Sequence, residues 1–177
     1  FICLDQTRSR VFGYNEEGRL LYILGGPGQR EGLFRNPVDT DFVGDRIMVL
    51  DALAQSIELY APTTYGQAIN NAVRLQYAFD YEQAAIHWRE ALALDHNFTL
   101  AYSGIGRSLL RNGRYEDALH YLKLGADRQY YSKAYAKVRD QQLKEWFVPV
   151  VAGLIGLIVV VKVVKAIKKR GRKEATA

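Results

Sequence analysis

Two arginines one helical turn apart are the residues in this chain best placed to bind a charged group. Arg107 and Arg111 lie four residues apart in a segment with helical periodicity, so both side chains share one face. Tyr77 lies in the preceding helical unit and is expected nearby. Guanidinium groups bind carboxylates strongly, so the pair could clamp an acidic peptide or a C-terminal carboxylate. The alternative is that both arginines are simply hydrated on the surface.

The remaining reactive side chains form no pattern that indicates a catalytic or metal site. His87, His96 and His120 lie far apart on segments with helical periodicity and lack the spacing of metal ligands. Cys3 is the single cysteine, which excludes an intrachain disulfide, and it is predicted to be a buried strand residue. The glycine-rich run 25–32 lacks the Gly-Lys-Ser/Thr ending of a phosphate-binding loop. The sequence therefore predicts no metal, no cofactor and no enzymatic activity.

Two strand–turn–strand segments near the start of the chain resemble each other with a spacing of 46 residues. Each has an aspartate at the end of its first strand, Asp5 in one copy and Asp51 in the other. These carboxylates are predicted to fix turns by accepting hydrogen bonds from backbone amides, not to act as an acid–base pair. Repeats of roughly 40 to 50 residues built from short strands are typical of propeller blades. The other matching pairs are Val11 with Ile57 and Tyr14 with Tyr60.

The loop between the two copies contains a distinctive set of residues: Gly25, Gly28, Gly32, Phe34 and Pro37. This run resembles the inter-blade loop of NHL-repeat propellers, and the resemblance covers residues 1–61, about a third of the chain. It departs from the family at Gly13 and at residues 42–45. The resemblance implies a partial β-propeller, since a complete one has about four to eight blades. The other blades are expected upstream, in a longer protein of which this chain is the C-terminal part.

Residues 65–98 and 99–132 form two copies of a 34-residue helical unit. Recurring small residues allow helices to approach closely, and large residues fill the gaps between them. The pattern resembles tetratricopeptide repeats and implies two helical hairpins. Gly113 provides the turn in the second copy, whereas Phe79 stands there in the first and predicts a distorted turn. The small positions are Ala72, Ala84, Gly106 and Ala118, and the large ones are Tyr81, Trp88, Tyr115 and Leu122.

In tetratricopeptide repeats, the first helix of each repeat lines a concave groove that binds a partner. The resemblance therefore implies a protein or peptide partner, although the family's clamp of paired Asn and Lys residues is incomplete here. The groove residues implied in this way are Ile69, Asn70, Val73, Tyr77, Ser103, Arg107, Leu110 and Arg111.

The C-terminal part of the chain has the features of a membrane anchor. Residues 146–161 carry no charge, and a helix continued to residue 167 would span roughly 33 Å, against about 30 Å for a bilayer core. A capping helix over 132–146 is predicted to lead into a transmembrane helix over 147–167 and a basic tail over 168–177. The alternative is a buried core helix with a hydrated tail. The residues predicted at the membrane interfaces are Trp146, Phe147, Lys162 and Lys165.

The net charge of +5 is concentrated near the C-terminus. Residues 162–173 contain seven of the 24 lysines and arginines, so the first 161 residues are close to neutral. No surface for nucleic acid is therefore predicted, and the lipid bilayer is the expected partner of the basic segment. The charge favours a cytoplasmic tail with the repeats on the outer side of the cell membrane. Cytoplasmic repeats are the rival topology.

The sequence as a whole predicts a mixed β, then all-α chain: a partial β-propeller, two tetratricopeptide hairpins and a single transmembrane helix. The expected function is a membrane-anchored scaffold for protein–protein interactions, accessory to a membrane transport or envelope assembly, by analogy with similar bacterial proteins. The alternative is a membrane-anchored propeller enzyme, similar to lactonases or lyases, whose catalytic blades lie outside this chain.

Overall fold

The computed structural model describes the backbone of residues 1–174 and the side chains of residues 1–147 and 149–162. Over these residues, two antiparallel sheets precede a run of helices, which confirms the predicted order of β and then α structure. The first sheet has the order β1-β2-β3 and the second the order β4-β5-β6. The strands are β1 Ile2–Asp5, β2 Arg10–Tyr14, β3 Leu20–Gly25, β4 Pro37–Val43, β5 Arg46–Asp51 and β6 Ser56–Tyr60. The helices are α1 Thr64–Tyr77, α2 Tyr81–Leu94, α3 Thr99–Arg111, α4 Tyr115–Leu124 and α5 Arg128–Glu174.

The 46-residue repeat is present in the backbone of the two sheets. β1 pairs with β2, and β5 with β6, in corresponding registers that end at Asp5 and Asp51. In both hairpin turns a residue other than glycine has a positive φ, 51° at Ser9 and 54° at Gln55. The two hairpins therefore share both strand register and turn conformation, as expected from the match between the sequence segments.

Asp51 fixes its turn through the backbone, as predicted. Its Oδ1 accepts hydrogen bonds from the amides of Leu53 at 3.1 Å and Ala54 at 2.9 Å. Its Oδ2 accepts from the amide of Arg35 at 2.6 Å, which ties the preceding loop to the turn. Burial by itself would raise the pKa of the Asp51 carboxyl, but the amide donors outweigh burial and hold the pKa below its ordinary value.

The sheets pack with one face of the first against one face of the second. Val11 of the first sheet and Val49 of the second are fully buried in the core between them, which Leu4 also joins. By the 46-residue repeat, Leu4 and Val11 correspond to Leu50 and Ile57. Those two residues face away from the shared core and are 41% and 63% exposed. The equivalent apolar face is therefore covered in the first sheet but exposed in the second.

Cys3 is exposed, which corrects the prediction of a buried thiol. Cys3 pairs across the strands with Phe12, and Phe12 pairs with Ile23. Ile23 is also exposed. The first sheet therefore has an open face of its own, opposite the face that contacts the second sheet. Strand position predicted the alternation of faces but not which face would be covered.

The two helical hairpins have the same turn geometry in spite of their different sequences. Phe79 adopts a φ of +63° and Gly113 a φ of +76°, so the first turn is not distorted, contrary to the prediction. Each helix ends with an amide that bonds to a carbonyl five residues earlier, as in a Schellman motif. These bonds run from Asp80 to Leu75 at 3.0 Å and from Arg114 to Leu109 at 2.9 Å.

Small residues bring the helices into close contact. Ala72, Ala84 and Ala118 are at most 1% exposed and belong to the helical core. A Cβ added to Gly104 would lie 2.2 Å from Nε1 of the buried Trp88, so a larger residue there would displace the indole ring. A Cβ added to Gly106 would lie 2.6 Å from Cγ of the buried Leu122. The small positions of the 34-residue unit and its large residues Trp88 and Leu122 are therefore packing positions.

α5 is one helix from Arg128 to Glu174, with Pro149 inside it. It contains both the predicted capping segment over 132–146 and the predicted membrane segment over 147–167. Its segment Arg128–Lys162 is long and apolar enough to cross a membrane, and none of its apolar window is buried within the chain. The side chain of Lys165 and residues 175–177 of the predicted tail lie outside the described residues.

Replacing Asp51 with Asn should lower the free energy of unfolding by about 1.5–3 kcal/mol at pH 7, because buried amides lose a charged acceptor. Folding lowers the pKa of Asp51, so its contribution is present above the unfolded pKa of about 3.9 and is lost as the pH falls through the folded pKa. Chemical denaturation should therefore show the difference between variant and wild type shrinking below about pH 4.

The control for this experiment is Asp5→Asn at the equivalent turn. Asp5 is less buried and accepts a backbone hydrogen bond from Arg8 at 3.0 Å, so its replacement should cost less stability. Equal losses in the two variants would contradict the role assigned to the Asp51 carboxylate.

Candidate functional site

The turn between β2 and β3 projects charged side chains from the first sheet onto the helices. Gly18 has a φ of +72°, and its amide donates to the carbonyl of Asn15 at 3.0 Å. The Asn15 Oδ1 accepts from the amide of Arg19 at 2.8 Å, which closes the turn. Glu17 and Arg19 are held at this tip and both reach helical residues.

Arg107 is the buried centre of a group of charges that joins the sheet, the repeats and α5. It is 5% exposed, and its Nε and Nη2 donate to Asp127 Oδ2 at 3.0 and 2.9 Å. Its Nη1 donates to Glu17 Oε1 at 2.7 Å. Ser103 Oγ donates to the same Asp127 oxygen at 2.5 Å, and Arg19 Nη2 approaches it at 3.4 Å. We call Glu17, Arg19, Ser103, Arg107 and Asp127 the ion-pair cluster.

Asp127 also starts α5. It immediately precedes the helix, and its Oδ1 accepts from the amide of Tyr130 at 3.2 Å, as an N-cap residue does. The guanidinium carbon of Arg107 lies 4.1 Å from the centre of the Tyr130 ring. The first turn of α5 is therefore fixed to α3 by an ion pair and by an aromatic contact.

Both partners of the buried pair stay charged. Burial alone would raise the pKa of the Asp127 carboxyl, but the Ser103 hydroxyl, the Tyr130 amide and Arg107 outweigh it and lower the pKa. Burial alone would lower the pKa of Arg107, but its bonds to Glu17 and Asp127 outweigh it and raise the pKa. The Arg107–Asp127 pair is thus ionised at neutral pH.

A cavity of about 200 Å³ adjoins the cluster, and the predicted trio of Tyr77, Arg107 and Arg111 lines it. The expectation that these three side chains lie together is confirmed. Arg111 is exposed, and its guanidinium lies 5.5 Å from the centre of the Tyr81 ring. Within the described part of the chain, the Tyr77 hydroxyl is buried without a hydrogen-bond partner. Burial, followed by the charges of Glu17 and Glu16, raises the pKa of Tyr77.

The other predicted groove residues do not line one continuous open channel. Ile69 is fully buried in the helical core, and Val73 and Leu110 pack against that core. Asn70 lines a different cavity, between the sheets and α1. Ser103 belongs to the ion-pair cluster, so the turn from the first sheet covers the middle of the groove. Arg107 is likewise occupied within the chain and is neither a free clamp nor a hydrated surface residue.

Sequence reasoning missed Glu17 and Asp127. Glu17 is 90 residues from its partner Arg107, in a hairpin tip with no local signal for a helical contact. Asp127 had a usable signal, because an aspartate followed directly by a helical pattern is a typical N-cap. Assigning residues 99–132 to one repeat placed Asp127 inside a repeat and hid its role as the start of α5.

His87 and His120 each contact a neighbour on their own helix. His87 Nδ1 contacts Glu90 at 2.7 Å, and the His120 ring packs at 90° to that of Tyr121. Among the residues whose side chains are described, no three His, Cys, Asp or Glu side chains are grouped as metal ligands would be.

Comparison with protein-family models, with curated proteins and with solved structures found no match for this chain. What the chain does is therefore inferred from its own residues and their contacts.

Arg107→Met should lower the free energy of unfolding by about 3–5 kcal/mol, because Asp127 would remain buried without its cation. The double variant with Asp127→Asn should recover part of this loss, since the uncompensated charge is gone. Chemical denaturation of the four proteins of this cycle measures the coupling between the two residues.

Arg114→Met is the matched control. Arg114 pairs with Asp117 at 2.6 Å, but both side chains are more than half exposed, so its loss should cost only about 0–1 kcal/mol. An Arg107→Met variant as stable as Arg114→Met would show that the cluster does not hold the parts together.

Proposed function

We propose that this chain is a single-pass, membrane-anchored scaffold that holds β-sheets and a peptide-binding helical module at a fixed position above the bilayer. The observation that carries the proposal is the continuity of α5. It begins directly after its N-cap Asp127 and continues through the apolar segment, with Pro149 inside it. The repeats pack against the first turns of α5, and Arg19 of the first sheet reaches Asp127, so no flexible linker separates them from the helix. Direct attachment of the folded parts to a membrane helix suits an accessory component of a membrane transport or envelope assembly.

The apolar side chains of α5 support a membrane environment. Leu154 and Ile158 are 56% and 55% exposed, and Trp146 and Phe147 are exposed just before them. Removing each large apolar side chain from water gains about 1.5–3 kcal/mol, and no other element of the described chain covers this segment. A buried core helix, the alternative in the sequence, would be covered by neighbours. Trp146 and Phe147 then mark one interface and Lys162 the other.

The basic residues after the apolar segment favour a cytoplasmic C-terminus. Seven lysines and arginines lie between residues 162 and 173, within the short distance over which positive charge guides orientation. The sheets and repeats are accordingly placed on the extracytoplasmic side, and the reverse orientation remains the rival.

The helical module is proposed to bind an acidic peptide or a C-terminal carboxylate at Arg111. Because Arg107 is neutralised by Glu17 and Asp127, Arg111 is the arginine available at the 200 Å³ cavity. Phe79, at the rim, is 76% exposed and has the left-handed backbone that bulky residues rarely adopt. Phe79 thus combines a strained backbone with an exposed ring beside Tyr81 and Arg111, and this combination suits contact with a peptide.

The open sheet faces are proposed to accept further sheets of the same kind, as in an NHL-like propeller. Leu50 and Ile57 repeat the positions of Leu4 and Val11, which the next sheet covers, so the same packing can be continued. A structure of a longer form of the protein in which Leu50 and Ile57 stay exposed would oppose this part of the proposal.

Membrane insertion and orientation are tested together in cells. The protein should remain in the membrane pellet after alkaline extraction, and Leu154→Arg with Ile158→Arg should release most of it, since each arginine costs about 2.5–3.5 kcal/mol at the centre of a membrane helix. Asn97→Cys in a Cys3→Ser background should react with an impermeant maleimide in intact cells.

Gln141→Arg with Gln142→Arg is the control, because both positions precede the apolar segment and should leave the protein in the pellet. A wild-type protein extracted by alkali would refute the anchor. Labelling of Asn97→Cys only after lysis would establish the rival orientation.

Peptide binding is tested by fluorescence anisotropy with an acidic hexapeptide that has a free C-terminus. Arg111→Glu should weaken binding at least tenfold by replacing an attractive charge with a repulsive one, while Arg89→Glu on the exposed side of α2 should leave it unchanged. If both variants bind as the wild type does, the Arg111 site is not the docking site.

A further inference from the structure

A second cavity, of about 550 Å³, lies where the two sheets meet the helices. β3, the end of β6, the start of α1 and the turn between α2 and α3 contribute its walls. Pockets for small organic ligands typically have about 300–1,000 Å³ and are mostly apolar with a few polar groups. This cavity has that size and composition, and the proposed scaffold function makes no use of it.

The charged side chains of the cavity are all of one sign. Asp45 and Asp95 line it, and no lysine, arginine or histidine is among its described lining residues. Asp45 is exposed and Asp95 is half-buried, and within the described residues neither forms an ion pair, so no positive charge of the chain balances them.

Asp95 has an oxygen with capacity for another donor. Its Oδ1 accepts from the amide of Asn97 at 2.9 Å. In the described structure, its Oδ2 receives one hydrogen bond, a long one of 3.4 Å from the Tyr65 hydroxyl. A carboxylate oxygen can accept two, and a charged donor forms shorter and stronger bonds than a phenol at this distance.

Aromatic rings surround the same space. Tyr65 and Phe98 pack edge to face at 5.8 Å beside Asp95, and Tyr22 and Tyr60 line the sheet side. Burial, together with the neighbouring Asp95, raises the pKa of Tyr65 to about 12, so its ring remains neutral. Neutral aromatic faces attract organic cations, most strongly where water is excluded.

We infer that this cavity is a binding site for a small organic ammonium ion with an apolar body. The ammonium group pairs with Asp95 Oδ2, and the apolar body fills the space between the aromatic rings. An anionic ligand would find two carboxylates and no cation, and a neutral one would leave Asp95 without a charged partner.

The test uses three probes of matched shape: 4-phenylbutylamine, 4-phenylbutanol and 4-phenylbutyrate. Equilibrium dialysis measures their binding to the full chain in nanodiscs of zwitterionic lipid, with empty nanodiscs as the blank. The amine should bind at least tenfold more tightly than the alcohol, and the carboxylate should bind most weakly. Equal binding of all three probes, preference for the carboxylate or absence of amine binding would overturn the inference.

Variants test separately the role of the Asp95 charge and the role of the cavity volume. Asp95→Asn keeps an acceptor for the Asn97 amide and should weaken amine binding about tenfold while leaving alcohol binding unchanged. Ala61→Trp, at an exposed lining position, should fill the cavity and reduce binding of both probes. Glu82→Gln, an exposed carboxylate away from the cavity, is the control. Amine binding that is unaffected by Asp95→Asn, in a variant with a wild-type melting curve, would refute the site.

Discussion

The buried pair of Arg107 and Asp127 is the constraint on which the arrangement of this chain depends. Desolvating two charges is costly, and the cost is offset only when every remaining donor and acceptor finds a partner. Here the hydroxyl of Ser103, the amide of Tyr130 and the carboxylate of Glu17 provide those partners. Because they come from the helical repeats, from α5 and from the first sheet, the pair and its partners link the three parts directly.

The sheets follow a simpler rule, in which each one buries a single apolar face. Val11 and Val49 meet in the shared core, whereas Leu50 and Ile57, which repeat the pattern of Leu4 and Val11, stay exposed. An apolar sheet face or edge that remains exposed can associate with a further β-sheet. The helices, by contrast, close their core through small residues such as Ala72 and Ala118. Open apolar surface is thus concentrated on the sheets and on the outer part of α5.

Sequence patterns predicted what depends on local chemistry. The turn aspartate Asp51 and the small residues of the helical pairs could be found because their roles follow from spacing along the chain. Phe79 shows the limit of that reasoning, since the helix ending imposes a left-handed backbone on a residue that does not favour it. The partners of Arg107 and the exposure of Cys3 could not be predicted, because both depend on which distant element covers a given face. The apolar cavity at Asp95 arises in the same way, from the meeting of sheets and helices.

The central claim is that the sheets and repeats are held as one unit on a helix that enters the membrane. It is tested most directly by the distance between spin labels on Cys3 of the first sheet and on Gln141→Cys of α5, measured by double electron–electron resonance in lipid nanodiscs. Both positions are exposed and can carry a label. A single narrow distance distribution is the predicted result. A broad distribution or several distances would show that the sheet moves independently of the helix, and would contradict the claim.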